Sequence, residues 1–210
     1  MPPDSSSTRL SVLVGWGRRI FGRRLFIGLA VALAGIEVLV PAPFFAPGHR
    51  LFQTLAIFIA LGGLALRAWG SGCAGKHTRT EKIEAPQLIT GGPFAYVRNP
   101  IYTGTMFLGF GMAALIGDPK AYLLAALAFL FLYLGIVPAE EEFLRRQFGA
   151  AYARYCAEVP RFLPRFRPWP GRGRQAFHWR AATGEFFIAM WAMGIYLALW
   201  GEEWLDKVWG

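Results

Sequence analysis

Residues 101–137 read IYTGTMFLGFGMAALIGDPKAYLLAALAFLFLYLGIV. Two runs almost free of charge flank Asp118-Pro119-Lys120. Each is close to the length that crosses a hydrocarbon layer of ~30 Å. The spacing predicts one apolar helix over 101–117, a tight turn at 118–120, and a returning span from Ala121 to Val137 that Pro138 ends. Gly104, Gly109 and Gly111 supply the small side chains that let membrane helices approach closely. Both ends of such a hairpin emerge on the same side.

Working outward, two further apolar blocks precede the hairpin, about Leu25 to Phe45 and Leu51 to Trp69, with Arg67 placed to snorkel from the second. A last block, about Phe186 to Trp204, follows it. The fold class expected is therefore all-α: a polytopic membrane protein with about five transmembrane helices, including the helical hairpin, and a cleft on its cytoplasmic side. The chain divides into a disordered tail and interfacial helix (1–24), N-terminal transmembrane helices (25–70), a core (71–164), and a basic linker with a C-terminal transmembrane helix (165–210). The apolar run from Leu25 reads as a first span and not as a cleavable signal, since no small-residue cleavage site follows it.

The 22 Lys and Arg against 13 Asp and Glu give a net charge of +9. The basic residues sit between apolar blocks, and no nucleic-acid motif accompanies them, so topogenic and lipid-facing charge is preferred over nucleic-acid binding. Five Arg precede the first block, four Lys or Arg lie in 70–99 and nine in 139–182, against Arg50, Lys120 and Lys207 on the other face. That asymmetry puts both long polar segments in the cytoplasm, as expected of a multi-pass protein of the inner (plasma) membrane. Cys73 and Cys156 fall in those segments and are expected to stay reduced. Cys73 and His77 lack a partner pair of ligands, so no metal site is assigned.

Two polar stretches meet where the hairpin opens. One is Gly91-Gly92-Pro93-Phe94-Ala95-Tyr96-Val97-Arg98-Asn99-Pro100-Ile101-Tyr102, and the other begins at Glu140-Glu141-Glu142. A cation, an amide, a phenol and paired carboxylates gathered at one membrane face suit a zwitterionic ligand. Glu140–Glu142 also suits a plain helix start, and Arg98 a topogenic charge. Tyr152 and Tyr155 read as packing or interfacial aromatics and not as catalysts. The Arg-rich stretch 161–180 suits anionic headgroups, and Arg161 with its neighbours also suits a cap over the cleft or a contact for an acidic lipid substrate.

The run GPFAYVRNPIYTG (92–104) is similar to the G-P-[YF]-x-[YF]-x-R-[HN]-P-x-Y-x-G signature of the isoprenylcysteine carboxyl methyltransferase and phospholipid methyltransferase superfamily. The second half resembles it too, through Glu140-Glu141, Leu144, Phe148-Gly149, Tyr152, Tyr155 and Val159-Pro160-Arg161-Phe162-Leu163-Pro164. The resemblance implies an S-adenosyl-L-methionine-dependent methyltransferase acting on a lipidic or amphipathic acceptor, with membrane lipids around it. It implies that Tyr96, Val97, Arg98, Asn99, Pro100 and Tyr102 line the cofactor site, that Glu140 and Glu141 complete it, and that Arg98 and Glu141 are the catalytic pair. Asn99 stands where many members have His; it can hydrogen-bond cofactor oxygens but cannot act as an acid or base. The competing readings are an NADPH-dependent membrane reductase of related architecture and a non-catalytic membrane protein.

Overall fold

The computed structural model describes residues 50–75, 87–194 and 197. Every regular element among them is helical. The tail, the interfacial helix 10–24 and the expected first span lie outside the described residues. The order is α1 (Arg50–Ala74), a 3-10 turn (Gly92–Ala95), α2 (Pro100–Ile116), α3 (Pro119–Phe131), a π segment (Leu132–Ile136), α4 (Val137–Glu158) and the short α5 (Trp179–Ala182). Helical turns resume at 184 and continue through 194, overlapping the start of the expected last span.

The expected hairpin is present. Gly117, in the left-handed region at φ 74°, ends α2, and its N–H bonds to the Ala113 carbonyl. Asp118 then caps α3 by accepting from the Lys120 N–H at 2.8 Å. Two residues thus stop one helix and start the next, and Pro119 at the first turn lacks only an N–H that would be unpaired there anyway.

The far arm differs from the sequence reading. Pro138 does not end it: one helix continues from Pro119 to Glu158, 40 residues. The π segment explains why. Proline removes a donor and its ring collides with the carbonyl four residues back, at Leu134. The Val137 N–H reaches instead to Leu132 O, five residues back, and this wider turn accommodates the ring. At 1.5 Å per residue the stretch from Pro119 to Gly149 alone is roughly 45 Å long, more than a bilayer core of ~30 Å, so the polar residues after Pro138 extend past the apolar stretch. Gly149, at φ 49°, kinks that polar part.

Among the described residues, helix α1 and the arm 119–158 are long and apolar enough to cross a membrane, and α2 is a shorter apolar helix. Only 17% of each apolar window is buried. Leu51, Phe58, Leu61, Leu123, Leu127 and Leu134 face outward, as apolar side chains do in a hydrocarbon surround and not in the core of a water-soluble bundle.

Small residues hold α1 against α2. A Cβ on Gly63 would stand 2.5 Å from Leu108 N and 2.6 Å from Gly104 O, and one on Gly104 would stand 2.5 Å from Gly63 O. Gly111 meets Ala60 and Ala56 in the same way. Gly104 and Gly111 therefore play the close-packing part predicted for them, whereas Gly109 only touches Ala125 at 3.9 Å.

Arg67 does not snorkel. Its Nε donates to Glu185 Oε2 at 2.8 Å, and its Nη1 donates to Thr105 Oγ1. Ser71 Oγ donates to Glu185 Oε1 at 2.7 Å. Pairing with a buried carboxylate outweighs a long reach to water, because Glu185 without a partner would be a desolvated charge. The pair fastens the start of the helical residues 184–194 to α1.

Candidate functional site

The site is assembled where α2 begins and the long arm leaves the apolar layer. Pro93 turns the loop, accepting from the N–H groups of Tyr96 (3.0 Å) and Val97 (3.1 Å). Asn99 then occupies the cap position of α2: its carbonyl takes the Thr103 N–H at 2.9 Å, while its side chain makes no capping bond. The amide is used elsewhere, donating to Glu141 Oε1 and to the Arg161 carbonyl, both at 3.3 Å.

Glu141, 3% exposed, is the centre of the cluster. Arg161 grips it at two points, Nε to Oε1 at 3.1 Å and Nη2 to Oε2 at 2.5 Å. Arg98 Nε lies 3.3 Å from Oε1. The Arg98 guanidinium is anchored through Nη1, which donates to the Cys156 carbonyl at 2.9 Å. Its Nε is buried without a well-directed hydrogen bond. Two cations and one carboxylate leave this cluster with a net positive charge, beside the positive end of α2. The hydrogen bonds from Arg161 to Glu141 raise the Arg161 pKa still further above its ordinary value. Next to the cluster, Tyr102 Oη donates to Glu140 Oε1 at 2.7 Å.

The frame around these groups is packed and hydrogen-bonded. Tyr152, Tyr155 and Val159 are buried against Leu88, Leu144, Phe148 and Trp169, and Tyr155 Oη donates to the Phe94 carbonyl at 2.7 Å. These tyrosines are packing residues, as their sequence context predicted. Residues 160–175 fold back along the loop: Arg98 N–H to Pro160 O at 2.8 Å, Arg165 N–H to Tyr96 O at 3.0 Å, and Trp169 N–H to Ala95 O at 2.9 Å.

Of the residues singled out from sequence, Arg98, Asn99 and Glu141 converge on one another, and Tyr102 and Glu140 pair beside them. Tyr96 is half-buried with its ring 6.1 Å from that of Trp69. Val97 and Pro100 are fully buried, so they shape the loop by packing. Arg161 is the principal partner that spacing did not place on Glu141: it lies 20 residues away in an irregular segment, beyond any helix-period rule. Its surroundings are aromatic. It lies 5.7 Å over the Tyr133 ring, and Phe162 packs against Phe129 and Tyr133 at 5.3 and 5.5 Å. An apolar hollow lined by Phe58, Ile59, Gly62, Leu66 and Phe107 lies elsewhere, on α1 and α2, and carries no charged side chain.

Comparison with known proteins gives a class and then particular relatives. The family described as phospholipid methyltransferase matches residues 52–151, which include the loop, the hairpin and both glutamates. The chain is 27% identical over 143 residues to protein-S-isoprenylcysteine O-methyltransferase B of Arabidopsis thaliana, covering 65% of this chain and 72% of that protein. It is 29% identical over 118 residues to protein-S-isoprenylcysteine O-methyltransferase of Schizosaccharomyces pombe, covering 54% and 50%. It is 26% identical over 108 residues to the cobalt-zinc-cadmium resistance protein CzcN of Cupriavidus metallidurans, covering 51% and 50%. The chain thus spans about half the length of two of these relatives and nearly three quarters of the third. No solved structure gives a significant match. The likeness read from the paired motifs is borne out: through its matched half, the chain is similar to the isoprenylcysteine and phospholipid methyltransferase superfamily.

Proposed function

We propose that this chain is an integral membrane methyltransferase that uses S-adenosyl-L-methionine and acts on a lipidic or amphipathic acceptor, with its site on the cytoplasmic side of the plasma (inner) membrane. The observation that carries the reading is the meeting of Arg98, Asn99 and Glu141 at the open end of the hairpin, with Tyr102 and Glu140 alongside. The similarity of residues 52–151 to phospholipid methyltransferases supports it.

The residues fit the chemical features of that cofactor. Arg98 Nε is a buried donor without a well-directed acceptor, suited to an α-carboxylate. Glu140 and Glu141 offer carboxylates to an α-ammonium. The rings of Tyr96 and Tyr102 suit a sulfonium, an attraction of about 1–2 kcal/mol once water is excluded. Bound there, S-adenosylmethionine supplies an electrophilic methyl group. The chain's own contribution is to orient and to exclude water, and alignment of this kind is worth ~7–11 kcal/mol. Arg98 and Glu141 are assigned the central roles, and Arg161, which now grips Glu141, exchanges part of that contact when a ligand ammonium takes its place.

The relatives' names speak of isoprenylcysteine, an acceptor with an apolar tail. An acceptor of that kind fits a site at the edge of an apolar layer, where a tail stays among hydrocarbon while the cofactor enters from water. Incubating the purified protein with methyl-labelled S-adenosylmethionine and a membrane lipid extract tests the proposal. Label is expected in the organic phase, and Arg98→Ala and Glu141→Ala each lower transfer by about 100-fold, the scale of one lost charged contact. Turnover of NADPH in place of transfer would support the reductase reading instead.

A further inference from the structure

Between residues 159 and 184 the chain holds six Arg and no carboxylate. Arg161 is spent on Glu141, and Arg165 lies 3.9 Å from Glu158. Arg167, Arg172, Arg174 and Arg180 are exposed, and none forms an ion pair among the described residues. Large exposed apolar side chains alternate with them: Leu163 is 77% exposed, Phe166 fully so at 104%, and Trp179 76%, with one edge of its ring against Phe177 at 4.8 Å.

This is a fixed surface and not a loose tail. Its backbone is tied to the loop ahead of α2 through Arg165 and Trp169, to Thr90 Oγ1 through the Gly173 N–H at 2.8 Å, and to the end of α1 through His178 N–H to Gly72 O at 2.8 Å. With the main chain committed inward, those side chains are left outward. The strap therefore crosses the end of the bundle where α1 finishes and α2 begins, the level at which apolar helices pass into headgroups.

We infer that the outer face of residues 163–180 is a binding surface for anionic phospholipid headgroups of the same membrane. The arginines take lipid phosphates, and Leu163, Phe166 and Trp179 enter the acyl boundary, the pairing of basic and bulky apolar groups that suits an interface. Charge argues against a cover supplied by this chain: residues 1–24 carry five Arg and one Asp, and residues 76–86 carry three basic and two acidic groups. The inference is independent of the methyltransferase reading, since it uses neither the cofactor nor the Glu141 cluster.

The test uses the full chain in lipid nanodiscs, with a bimane probe on Phe166→Cys in a Cys156→Ser background; Cys73 is buried. Quenching by brominated phosphatidylglycerol is compared with quenching by brominated phosphatidylcholine. The inference predicts stronger quenching by the anionic lipid, an excess that fades in high salt. Each arginine near the surface is expected to contribute a preference of up to about fivefold, so Arg167→Gln, Arg172→Gln and Arg174→Gln together should bring the two lipids level. Equal quenching by both lipids in the labelled protein with its arginines intact would overturn the inference. So would a probe that neither lipid reaches, whether the strap is then bare, covered by the chain, or shielded by an added RNA oligonucleotide.

Discussion

Arg161 and Glu141 form a two-point ion pair, 3.1 Å from Nε to Oε1 and 2.5 Å from Nη2 to Oε2, across 20 residues of chain. The carboxylate is almost fully buried while the guanidinium is about one-third exposed. Removing the cation leaves Glu141 with only Asn99 and the poorly aligned Arg98. Arg161→Met is expected to destabilise the protein by about 2 kcal/mol, below the 3–5 kcal/mol of a fully buried broken pair because water still reaches the arginine side. Adding Glu141→Gln should then cost less than it does alone, with a coupling of about 1–3 kcal/mol in thermal unfolding of the detergent-solubilised protein. Strictly additive losses would mean the two side chains do not depend on each other.

The α1–α2 contact makes a sharper demand on volume. A Cβ at Gly63 meets backbone atoms of α2 at 2.5 and 2.6 Å, and backbone cannot turn aside as a side chain can. Gly63→Ala and Gly104→Ala are each expected to lower stability by about 1–3 kcal/mol. Gly62→Ala, with nothing within 4 Å of the new methyl, should stay within about 0.5 kcal/mol of the parent. Melting temperatures of the three variants, measured side by side, check the pattern.

At Gly149 the cause is different. A methyl there meets no atom within 4 Å, yet φ is 49° and ψ −122°, a conformation that side chains resist. Gly149→Ala should cost about 1–3 kcal/mol through backbone strain alone. Gly135 has equally open space and an ordinary φ, so Gly135→Ala should be neutral or gain about 0.5–1 kcal/mol. Chemical unfolding of the pair separates conformation from crowding.

What could be read in advance follows the range of the forces involved. The hairpin was legible because its apolar runs, Gly117 and Asp118 act within a few residues of one another. The meeting of Arg98 and Asn99 with Glu141 followed from that hairpin and from the paired motifs. Pro138 misled because the rule that proline ends a helix does not foresee a π segment that makes room for it. Arg67 misled for a further reason: its partner Glu185 is 118 residues away, and no local pattern points there. Arg161 was readable as a cap over the cleft or a contact for an acidic lipid, but an irregular segment has no period from which to derive its hold on Glu141. Of the expected last span, 186–204, residues 186–194 are helical, as its apolar run predicts.

Binding of S-adenosylmethionine to the purified chain, followed by isothermal titration calorimetry, tests the central claim most directly, because it requires no knowledge of the acceptor. Saturable binding is expected, weakened by at least about tenfold in Arg98→Ala and in Glu141→Ala, while the exposed-surface variant Arg146→Ala binds as the parent does. Absence of binding by the folded parent, or equal affinity in all of these proteins, would contradict that claim.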